Sequence, residues 1–472
     1  MICTQVAGGT QYEYLAGKIT STGPGFADFA RVQLTSGGVI LADDATGADG
    51  DALGRAVAVG GYANDVAAVA GTGGAHVYRG DATYASWTWV HARTTAGPAA
   101  VAVAGDLVFV SEDGGPAVAL AVDGFAEVSR FESAAAGFGA AVAAATFGLQ
   151  GRSYLLATTG GRDLVCYEMT APAAATFGEW NETSIANDGA DDGFGAAVAT
   201  DGSTIVVGAP DAGGGVGAAH VYNYTSGVGP TFVAALASPS PSLSERFGAA
   251  VAVSGASVLV GGHRGKAYVF SAATGSLRQT LLPSGNDATA ESRGLASRFG
   301  EAVALSGDVA VVGAPADDAV GVDGGRAHAY KTRDDGATWT ELTSTETLVP
   351  RYGFAYDSAG SAVAVRCYGA DARAKKTCPV VLGAPQVSDD GATGPGFAET
   401  FVAYPPDRYV ASCVEFKSST RLKCAHMRQF RRKPFSCASR TRREQSIRPK
   451  ISRIDFDLIE LENSVWTTQT SG

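Results

Sequence analysis

The sequence predicts an all-β protein folded as a β-propeller, with seven blades of four antiparallel strands each. A unit made of a Phe-Gly pair, small apolar residues, a tight turn and a β-branched run recurs about every fifty residues. Short β-branched runs separated by turn signals are typical of strands rather than helices. Glycine is concentrated in the repeated part of the chain, since 61 of the 62 glycines precede Asp407. Four strands in each repeated unit indicate a propeller blade.

Seven copies of the unit can be placed along the chain. Six contain Phe-Gly or a close variant, at Leu53-Gly54, Phe138-Gly139, Phe194-Gly195, Phe247-Gly248, Phe299-Gly300 and Tyr352-Gly353. A degenerate copy at residues 97–115 fills the wide gap between the first two of these pairs. We therefore expect seven blades.

The residue types within a unit fit the four strands of a blade in order. The inner strands of all blades converge on one axis, so a run such as residues 249–253 must be small. The Phe fills the wedge between adjacent blades, and the Gly after it allows close backbone approach. Pro210, Pro315 and Pro385 end the second strand, because proline cannot donate to a ladder. The outer strand faces solvent and alternates, as in residues 339–342.

One end of the chain is expected to close the ring. Closure removes exposed sheet edges, and it usually requires one end of the chain to complete a blade begun by the other. Residues 25–44 resemble the first two strands of a unit. They either complete such a blade or are the remnant of a further one.

Charge divides the chain into an acidic body and a basic tail. We expect an N-terminal segment at residues 1–24, the propeller at 25–406 and the tail at 407–472. The chain up to residue 406 has 22 Lys and Arg against 40 Asp and Glu, whereas the tail has 14 against 7. The propeller is therefore expected to bind no nucleic acid, because phosphate backbones require clustered Lys and Arg. Its charge suits a soluble protein, or one that recruits cations or basic partners.

The tail breaks the repeat and is predicted to be mostly disordered. Its basic run, FRRKPFSCASRTRREQSIRPK, could contact nucleic acid, a membrane or the acidic body. A zinc site that combines His426 with Cys413, Cys424 and Cys437 is a weak alternative, because the spacings match no common zinc finger.

Features that report on the cellular compartment are mixed. Seven cysteines leave one unpaired, and Cys367 and Cys378 flank a short loop that a disulfide could bridge. Asn181 and Asn223 begin Asn-x-Thr triplets, which are glycosylated only in a secretory compartment. No apolar run is long enough to span a bilayer. The first residues lack the basic start and apolar segment of a signal peptide, so either the protein is not secreted or its true N-terminus is missing.

The repeats resemble the FG-GAP family, the propeller type known from the head of integrin α subunits. The resemblance rests on the Phe-Gly pairs, on Gly-Ala-Pro at residues 208–210, 313–315 and 383–385, and on a Gly-x-Ala-x-Val-Tyr/Phe strand such as residues 265–270. It covers roughly residues 25–406. It implies an extracellular or cell-surface binding or adhesion module for a protein or glycan ligand, without catalysis of its own.

Calcium is the cofactor that the resemblance raises. Calcium-binding members carry an Asp-x-Asp-x-Asp-Gly-x-x-Asp loop between the first two strands, because Ca²⁺ takes six or more oxygen ligands. Here those connections are short turns at residues 201–203, 254–256 and 306–308, and the nearest remnant, residues 61–65, lacks the upstream acids. We therefore expect no integrin-like calcium site, no other metal and no cofactor.

Candidate ligand-binding residues lie in loops that do not repeat. Connections alternate between the two faces of an antiparallel blade, so loops after Gly-Ala-Pro and loops before Phe-Gly share one face. Their acidic charges are either solvated surface or a ligand surface for a basic patch, a glycan or a cation. The candidate residues are Asp188, Asp191, Asp192, Asp211, His263, Arg264, Asp317, Asp318, Asp323, Asp389 and Asp390.

The fifth unit departs from the repeat on this face. Its Gly-Ala-Pro is replaced by Gly261-Gly262-His263, and Arg264 follows in a very short loop. The departure predicts a low point on the ligand face and makes His263 and Arg264 the first residues to mutate.

Two further patterns have both a structural and a catalytic interpretation. His76, His220 and His328 occupy the same slot in three separate units, so we expect structural roles rather than a metal triad. Residues 332–339 match the Asp-box, whose Asp accepts hydrogen bonds across a hairpin and whose Trp fills the blade. The alternative to a binding module is a lectin or a sialidase-like enzyme. A sialidase would need arginines and a Tyr-Glu pair at the axis, where the sequence has mostly Ala, Val and Gly.

Overall fold

The computed structural model of the chain divides into two compact units, one formed by Met1–Gln33 with Pro406–Gly472 and the other by Leu34–Pro405. The residues that it describes are 5–7, 10–12, 39–41, 52–61, 66–80, 87–97, 99–132, 138–147, 153–160, 163–169, 180–186, 193–283, 294–318, 321–342, 348–350, 356–367, 378–385, 397–403, 409–414 and 423–428. Within these ranges, no helix has the length and apolar character needed to cross a membrane.

The first unit contains two antiparallel hairpins. One pairs β1 (Gln5–Ala7) with β2 (Thr10–Tyr12), and the other pairs β31 (Tyr409–Val414) with β32 (Lys423–Arg428). The register of the second hairpin sets Cys413 opposite Cys424. Residues 429–472, with the basic run, lie outside the described residues, so the disorder of the tail and its contacts stay predictions.

The second unit is a propeller of seven four-stranded antiparallel sheets, as the sequence predicts. Its first strand in the chain is β3 (Val39–Leu41). From inner to outer strand, blade 1 is β4 (Ala56–Gly60), β5 (Val66–Ala70), β6 (Gly74–Gly80) and β7 (Trp87–Thr94); blade 2 is β8 (Ala99–Ala104), β9 (Leu107–Glu112), β10 (Ala117–Ala121) and β11 (Glu127–Phe131); blade 3 is β12 (Val142–Phe147), β13 (Ser153–Gly160), β14 (Asp163–Met169) and β15 (Asn181–Ala186).

The remaining blades follow the same order. Blade 4 is β16 (Ala197–Thr200), β17 (Thr204–Ala209), β18 (Ala218–Thr225) and β19 (Gly229–Leu236); blade 5 is β20 (Ala250–Ser254), β21 (Ser257–Gly261), β22 (Ala267–Ser271) and β23 (Leu277–Leu281); blade 6 is β24 (Val303–Ser306), β25 (Val309–Ala314), β26 (Arg326–Thr332) and β27 (Trp339–Glu341); blade 7 is β28 (Ala362–Val365), β29 (Cys378–Ala384), β30 (Phe397–Ala403) and β3. A single turn, α1 (Ala212–Gly215), lies between β17 and β18; Gly213 and Gly214 have positive φ within it.

Blade 7 joins the two ends of the propeller sequence. Strand β3 pairs with β30, with Ile40 opposite Glu399. The inner strand β28 contacts the inner strand β4 of blade 1, and the other inner strands contact one another in order. Within residues 25–44, Val39–Leu41 thus completes a blade begun at the other end of the propeller, as its fourth strand. The pairing removes the edge that an open ring would expose.

Burial follows the position of each strand in its blade. Strands β17, β21 and β25 are buried along their whole length, because side chains from neighbouring blades cover them. The outer strand β19 mixes buried and exposed residues. The second strands of blades 4, 6 and 7 end directly before Pro210, Pro315 and Pro385, as predicted.

The Phe-Gly pairs hold adjacent strands together as predicted. Phe247 and Phe299 are completely buried. Gly248 has a φ of 91°, and a Cβ there would lie 2.2 Å from the carbonyl oxygen of Ala218. Its N–H donates to the carbonyl of Gly261 at 2.9 Å. The pair therefore supplies an apolar wedge and a position that only glycine can occupy without strain.

In blade 7 the glycine that follows the Phe position differs from the one that the sequence predicts. Its glycine is Gly360, whose N–H donates to the Gly383 carbonyl at 2.9 Å, as Gly248 does in blade 5. The spacing predicts Gly353 instead, and the Tyr352-Gly353 pair lies outside the described residues. Ala359 stands in the Phe position and is fully buried. The sequence spacing fails here because blade 6 has a longer connection between its second and third strands, at residues 315–325, than blade 5 has at residues 262–266.

Short turns between the first and second strands link neighbouring blades on the face opposite the candidate loops. Asp201 of blade 4 accepts a hydrogen bond from the Gly255 N–H of blade 5 at 2.8 Å. Ser254 of blade 5 accepts one from the Gly307 N–H of blade 6 at 2.9 Å, and Ser306 repeats the contact toward blade 7. These residues therefore connect four successive blades.

Candidate functional site

The described candidate residues lie on what we call the loop face, formed by connections between second and third strands and between the outer strand of one blade and the inner strand of the next. Asp211, which follows β17, forms an ion pair with Arg246, which precedes β20; the Asp211 Oδ1 to Arg246 Nη1 distance is 3.2 Å. This contact joins the two kinds of connection and supports their placement on one face.

Besides Asp211, the described acidic candidates have partners within blade 6. Asp317 Oδ2 lies 2.9 Å from Arg326 Nη2, with both side chains largely buried. Asp318 Oδ1 accepts a hydrogen bond from the Asp323 N–H at 3.0 Å. The other acidic candidates fall outside the described residues; they are Asp188, Asp191, Asp192, Asp389 and Asp390.

Two arginines that the sequence analysis overlooked belong to the same face. Arg246 and Arg298 each precede a Phe-Gly pair with a φ of 51° and 56°. Arg298 Nη2 lies 2.6 Å from Glu301 Oε1, and burial raises the pKa of Glu301 although Arg298 opposes the shift. The sequence contains a signal for these arginines, because the fifth and sixth units both read Arg-Phe-Gly. Since the triplet recurs, it was attributed to the framework of the repeat.

His263 stands next to this pair of arginines. Its backbone N–H donates to the Glu245 carbonyl at 2.7 Å. Partial burial lowers the pKa of His263, and the charges of Arg246 and Arg298 lower it further, while Asp211 acts in the opposite direction. His263 therefore contributes a neutral imidazole near neutral pH.

A cavity of about 290 Å³ opens on the loop face at blade 5. It coincides with the low point predicted at this blade. Arg264 and Lys266 supply positive charge there, and Leu295 supplies an apolar wall. The complete lining is Ser240, Ser242, Glu245, Arg264, Lys266, Tyr268 and Leu295.

Glu245 forms a fixed part of the cavity wall. It is only 2% exposed. Its carboxylate accepts hydrogen bonds from Ser238 Oγ at 2.7 Å, from the Tyr268 hydroxyl at 2.9 Å and from the Ser242 N–H at 3.3 Å. Tyr268 occupies the slot that histidine holds in three other blades. The sequence analysis missed Glu245, whose hydrogen-bond partners are Ser238 and Ser242 in its own loop and Tyr268 on β22.

Comparison with known families identifies the repeat. A family model described as FG-GAP repeat matches residues 180–222 and 289–330. Each match runs through the connection before a blade and ends in or at its third strand, in blades 4 and 6. The chain carries FG-GAP repeats within a seven-bladed β-propeller.

Other comparisons add little. No curated protein matches the chain. A chain from a solved structure titled "Crystal Structure of Mitotic Checkpoint Complex" is similar with 13% identity and a TM-score of 0.46, covering 77% of this chain and 96% of that one. A likeness at that TM-score gives no information about the function of this FG-GAP propeller.

The histidine slots of the FG-GAP propeller lie on three separate blades. His76, His220 and His328 belong to β6, β18 and β26, so they do not converge. His328 is buried and its Nδ1 lies 2.7 Å from Glu341 Oε1. In the described part of the chain, no group of three or more His, Cys, Asp or Glu side chains is placed to hold a metal ion.

The Asp-box of blade 6 has the local contacts that its sequence predicts. Asp334 accepts hydrogen bonds from the Thr338 N–H at 2.8 Å, from Thr338 Oγ1 at 2.6 Å and from Thr332 Oγ1 at 2.9 Å. These bonds lower the pKa of Asp334 to about 2. Trp339 is buried, and the Gln279 side chain of blade 5 binds both its backbone N–H and its carbonyl, at 2.6 and 2.8 Å. The motif therefore locks a hairpin on the face opposite the cavity.

The turn that replaces a calcium loop in blade 4 is closed by backbone donors. Asp201 Oδ1 accepts from the N–H groups of Ser203 and Thr204 at 3.0 and 2.9 Å. Residues 62–65 of the nearest remnant lie outside the described part.

The residues that bear on the compartment are placed as follows. A disulfide joins Cys367 to Cys378. Asn181 lies on β15 and Asn223 on β18, and both side chains are exposed. Cys166 is buried, and burial raises the pKa of its thiol to about 12.

Proposed function

We propose that this FG-GAP propeller is a non-catalytic binding module, whose loop face contacts a protein or glycan ligand at the cell surface or outside the cell. One observation carries the proposal. The framework of blades 5 and 6 is the same, whereas their loop-face connections differ in length, charge and shape, and one of them leaves a cavity. Binding residues are commonly placed on variable loops held by a rigid scaffold.

The composition of the axis supports a role without catalysis. The seven inner strands, all of them described, contain no ionisable side chain. Hydrolysis of a glycosidic bond ordinarily requires a pair of carboxyl groups flanking the bond. A lectin or sialidase-like enzyme is the alternative, and the local hydrogen bonds of Asp334 favour a folding role for the motif that suggested it.

The proposed location rests on covalent features. Disulfides persist mainly in oxidising compartments, and the chain has one between Cys367 and Cys378. The exposed Asn181 and Asn223 are compatible with glycosylation. A mass shift on treatment with an N-glycosidase would test both sequons in protein secreted from eukaryotic cells.

The binding test compares charge reversal on the two faces. The full chain is used to capture cell-surface proteins and to probe a glycan array, beside the double variant D318K/D323K, which leaves the Asp317–Arg326 pair intact. The control D123K/D335K makes the same charge change in turns of the opposite face, and Asp335 has a φ of 55°, matching the 50° of Asp323.

We expect the loop-face variant to weaken capture at least about tenfold while the control stays near wild type, since charge-assisted contacts dominate such losses. Equal capture by all three proteins would overturn the proposal. Release of a product from an array glycan by the wild-type chain would establish the enzymatic alternative.

A further inference from the structure

The connection between β21 and β22 is the shortest of three neighbours on the loop face. It spans residues 262–266, against 210–217 in blade 4 and 315–325 in blade 6. Because this connection is short, a cavity remains between two segments of the chain. One leads into blade 5 and includes Ser240 and Ser242, and the other leads into blade 6 and includes Leu295. The depression therefore arises from the departure of blade 5 from the repeat.

Arg264 differs from the other arginines of this region. Arg246, Arg298 and Arg326 each pair with a carboxylate, at 3.2, 2.6 and 2.9 Å. Arg264 is exposed, and its Nη2 donates to the Leu243 carbonyl at 2.8 Å. Within the described ranges no carboxylate forms an ion pair with it. The hydrogen bond holds a guanidinium at the cavity, where it can bind an anion from outside.

Two exposed leucines flank the same guanidinium. Leu243 is 68% exposed and Leu295, in the cavity wall, is 48% exposed. A single exposed leucine needs no explanation. Leu243 and Leu295 instead place apolar surface near an arginine for which the described residues supply no carboxylate partner.

We propose that the cavity at blade 5 receives an acidic side chain of a peptide ligand at Arg264, while an adjacent apolar side chain of the ligand packs on Leu243 and Leu295. The inference rests on the proposed binding function of the loop face and names the class of partner. Pockets for whole small ligands range over about 300–1,000 Å³. At about 290 Å³ this cavity suits one or two side chains of a larger partner.

The remaining walls are compatible with a carboxylate. The hydroxyls of Ser240 and Ser242 can donate hydrogen bonds. Glu245 offers a ligand little surface, because it is 2% exposed, and three hydrogen-bond donors within the protein stabilise its carboxylate. The net charge of −11 disfavours long polyanions, so a peptide with few acids fits better than a sulfated polymer.

The experiment selects the ligand chemistry without assuming it. A displayed library of random heptapeptides is panned on the immobilised full chain, and the recovered peptides are synthesised with a fluorophore for anisotropy titration. The variants are R264E and L243S. The control R333E changes an exposed arginine on the opposite face, in the Asp-box turn.

We expect enrichment of Asp or Glu next to Leu, Phe or Met. R264E should weaken binding by about tenfold or more, L243S by about threefold, and R333E by less than twofold, since a charge-assisted contact outweighs one partly buried side chain. Replacing the peptide acid by its amide should also weaken binding to wild type, but by less than R264E does, because reversing the charge adds repulsion. Melting temperatures of both variants near that of the wild type would show that the loss is local.

Several results would overturn the inference. They are a failure to select any peptide, enrichment of basic peptides, and acidic peptides that bind R264E as tightly as wild type. Binding of sulfated oligosaccharides that depends on Arg264 would assign the site to glycans. A ligand that is lost in D318K/D323K but retained in R264E would reject this inference and keep the proposed function. A ligand retained in both variants would reject the proposed function.

Discussion

The loop-face connections of blades 5 and 6 start from nearly identical frameworks and end in different chemistry. In both blades the glycine of the Phe-Gly pair donates to the second strand, at 2.9 Å from Gly248 and 3.0 Å from Gly300. The blade 6 connection spans residues 315–325 and buries an ion pair between Asp317 and Arg326. The blade 5 connection spans residues 262–266 and leaves Arg264 at a cavity.

This comparison separates residues that build the disc from residues that remain available for a ligand. The geometry that recurs from blade to blade depends on glycines and buried aromatic side chains, whose positions are set by close backbone contact. The charged loop residues differ in whether they find a partner inside the protein. A loop long enough to fold back satisfies its own charges, whereas a short loop cannot.

The largest effect is expected from the framework that the two blades share. Gly248→Ala places a Cβ 2.2 Å from the Ala218 carbonyl oxygen at a φ of 91°, and this oxygen belongs to the backbone and cannot turn aside. We expect a loss of about 3–5 kcal/mol in the free energy of unfolding. Thermal and urea denaturation of the purified variant would measure it.

The control for this change is Gly255→Ala. Gly255 also has positive φ, 55°, but no atom lies within 4 Å of an added Cβ. We expect a loss of about 1 kcal/mol, from backbone strain alone. Equal losses in the two variants would show that close approach is not the reason for the glycine of the Phe-Gly pair.

A smaller effect should distinguish the two connections directly. Asp317→Asn removes one partner of a mostly buried ion pair and leaves the Arg326 charge uncompensated, so we expect a loss of about 1–2 kcal/mol. Arg264→Gln changes an exposed side chain and should stay within about 0.5 kcal/mol of wild type. Chemical denaturation at neutral pH measures both. A larger loss in the free energy of unfolding for Arg264→Gln would mean that Arg264 stabilises its own loop and is not available to bind a ligand.

The smallest effect concerns the opposite face of blade 6. The pKa of Asp334 is lowered to about 2 by hydrogen bonds from Thr338 and Thr332, below its usual value of 3.8. Its contribution to stability is therefore present above pH 3.8 and is lost as the pH falls toward 2. The difference in melting temperature between wild type and Asp334→Asn should shrink over that interval. A difference that does not change with pH, or one matched by Asp335→Asn, would contradict this role.

The local parts of the fold could be predicted from the sequence. Pro210, Pro315 and Pro385 mark strand ends because proline has no N–H to donate. The roles of Phe247 and Gly248 could be predicted because they depend on the few residues of the turn that contains them. Blade 5 could be recognised as a low point because its altered Gly-Ala-Pro and short loop are adjacent in the chain.

Several features of the site depended on residues far apart in sequence. The position of Gly360 was misplaced because a longer connection shifts the spacing without changing the type of contact. Arg246 was read as part of a repeat, and its pair with Asp211 of another connection has no sequence signal. The Tyr268 hydroxyl reaches Glu245 from strand β22, so this contact in the cavity wall appeared only in three dimensions.

The sequence by itself determined the repeated blade, its strand order and the face on which the variable loops lie, because hydrophobic period and turn chemistry act over a few residues. Only the tertiary structure decided that Val39–Leu41 closes blade 7, that Asp317 is neutralised and that Arg264 has no carboxylate partner among the described residues. Ring closure brings together strands from opposite ends of the propeller sequence. The pairing of charges depends on how far each loop can reach, a property that neighbouring residues in the chain do not encode.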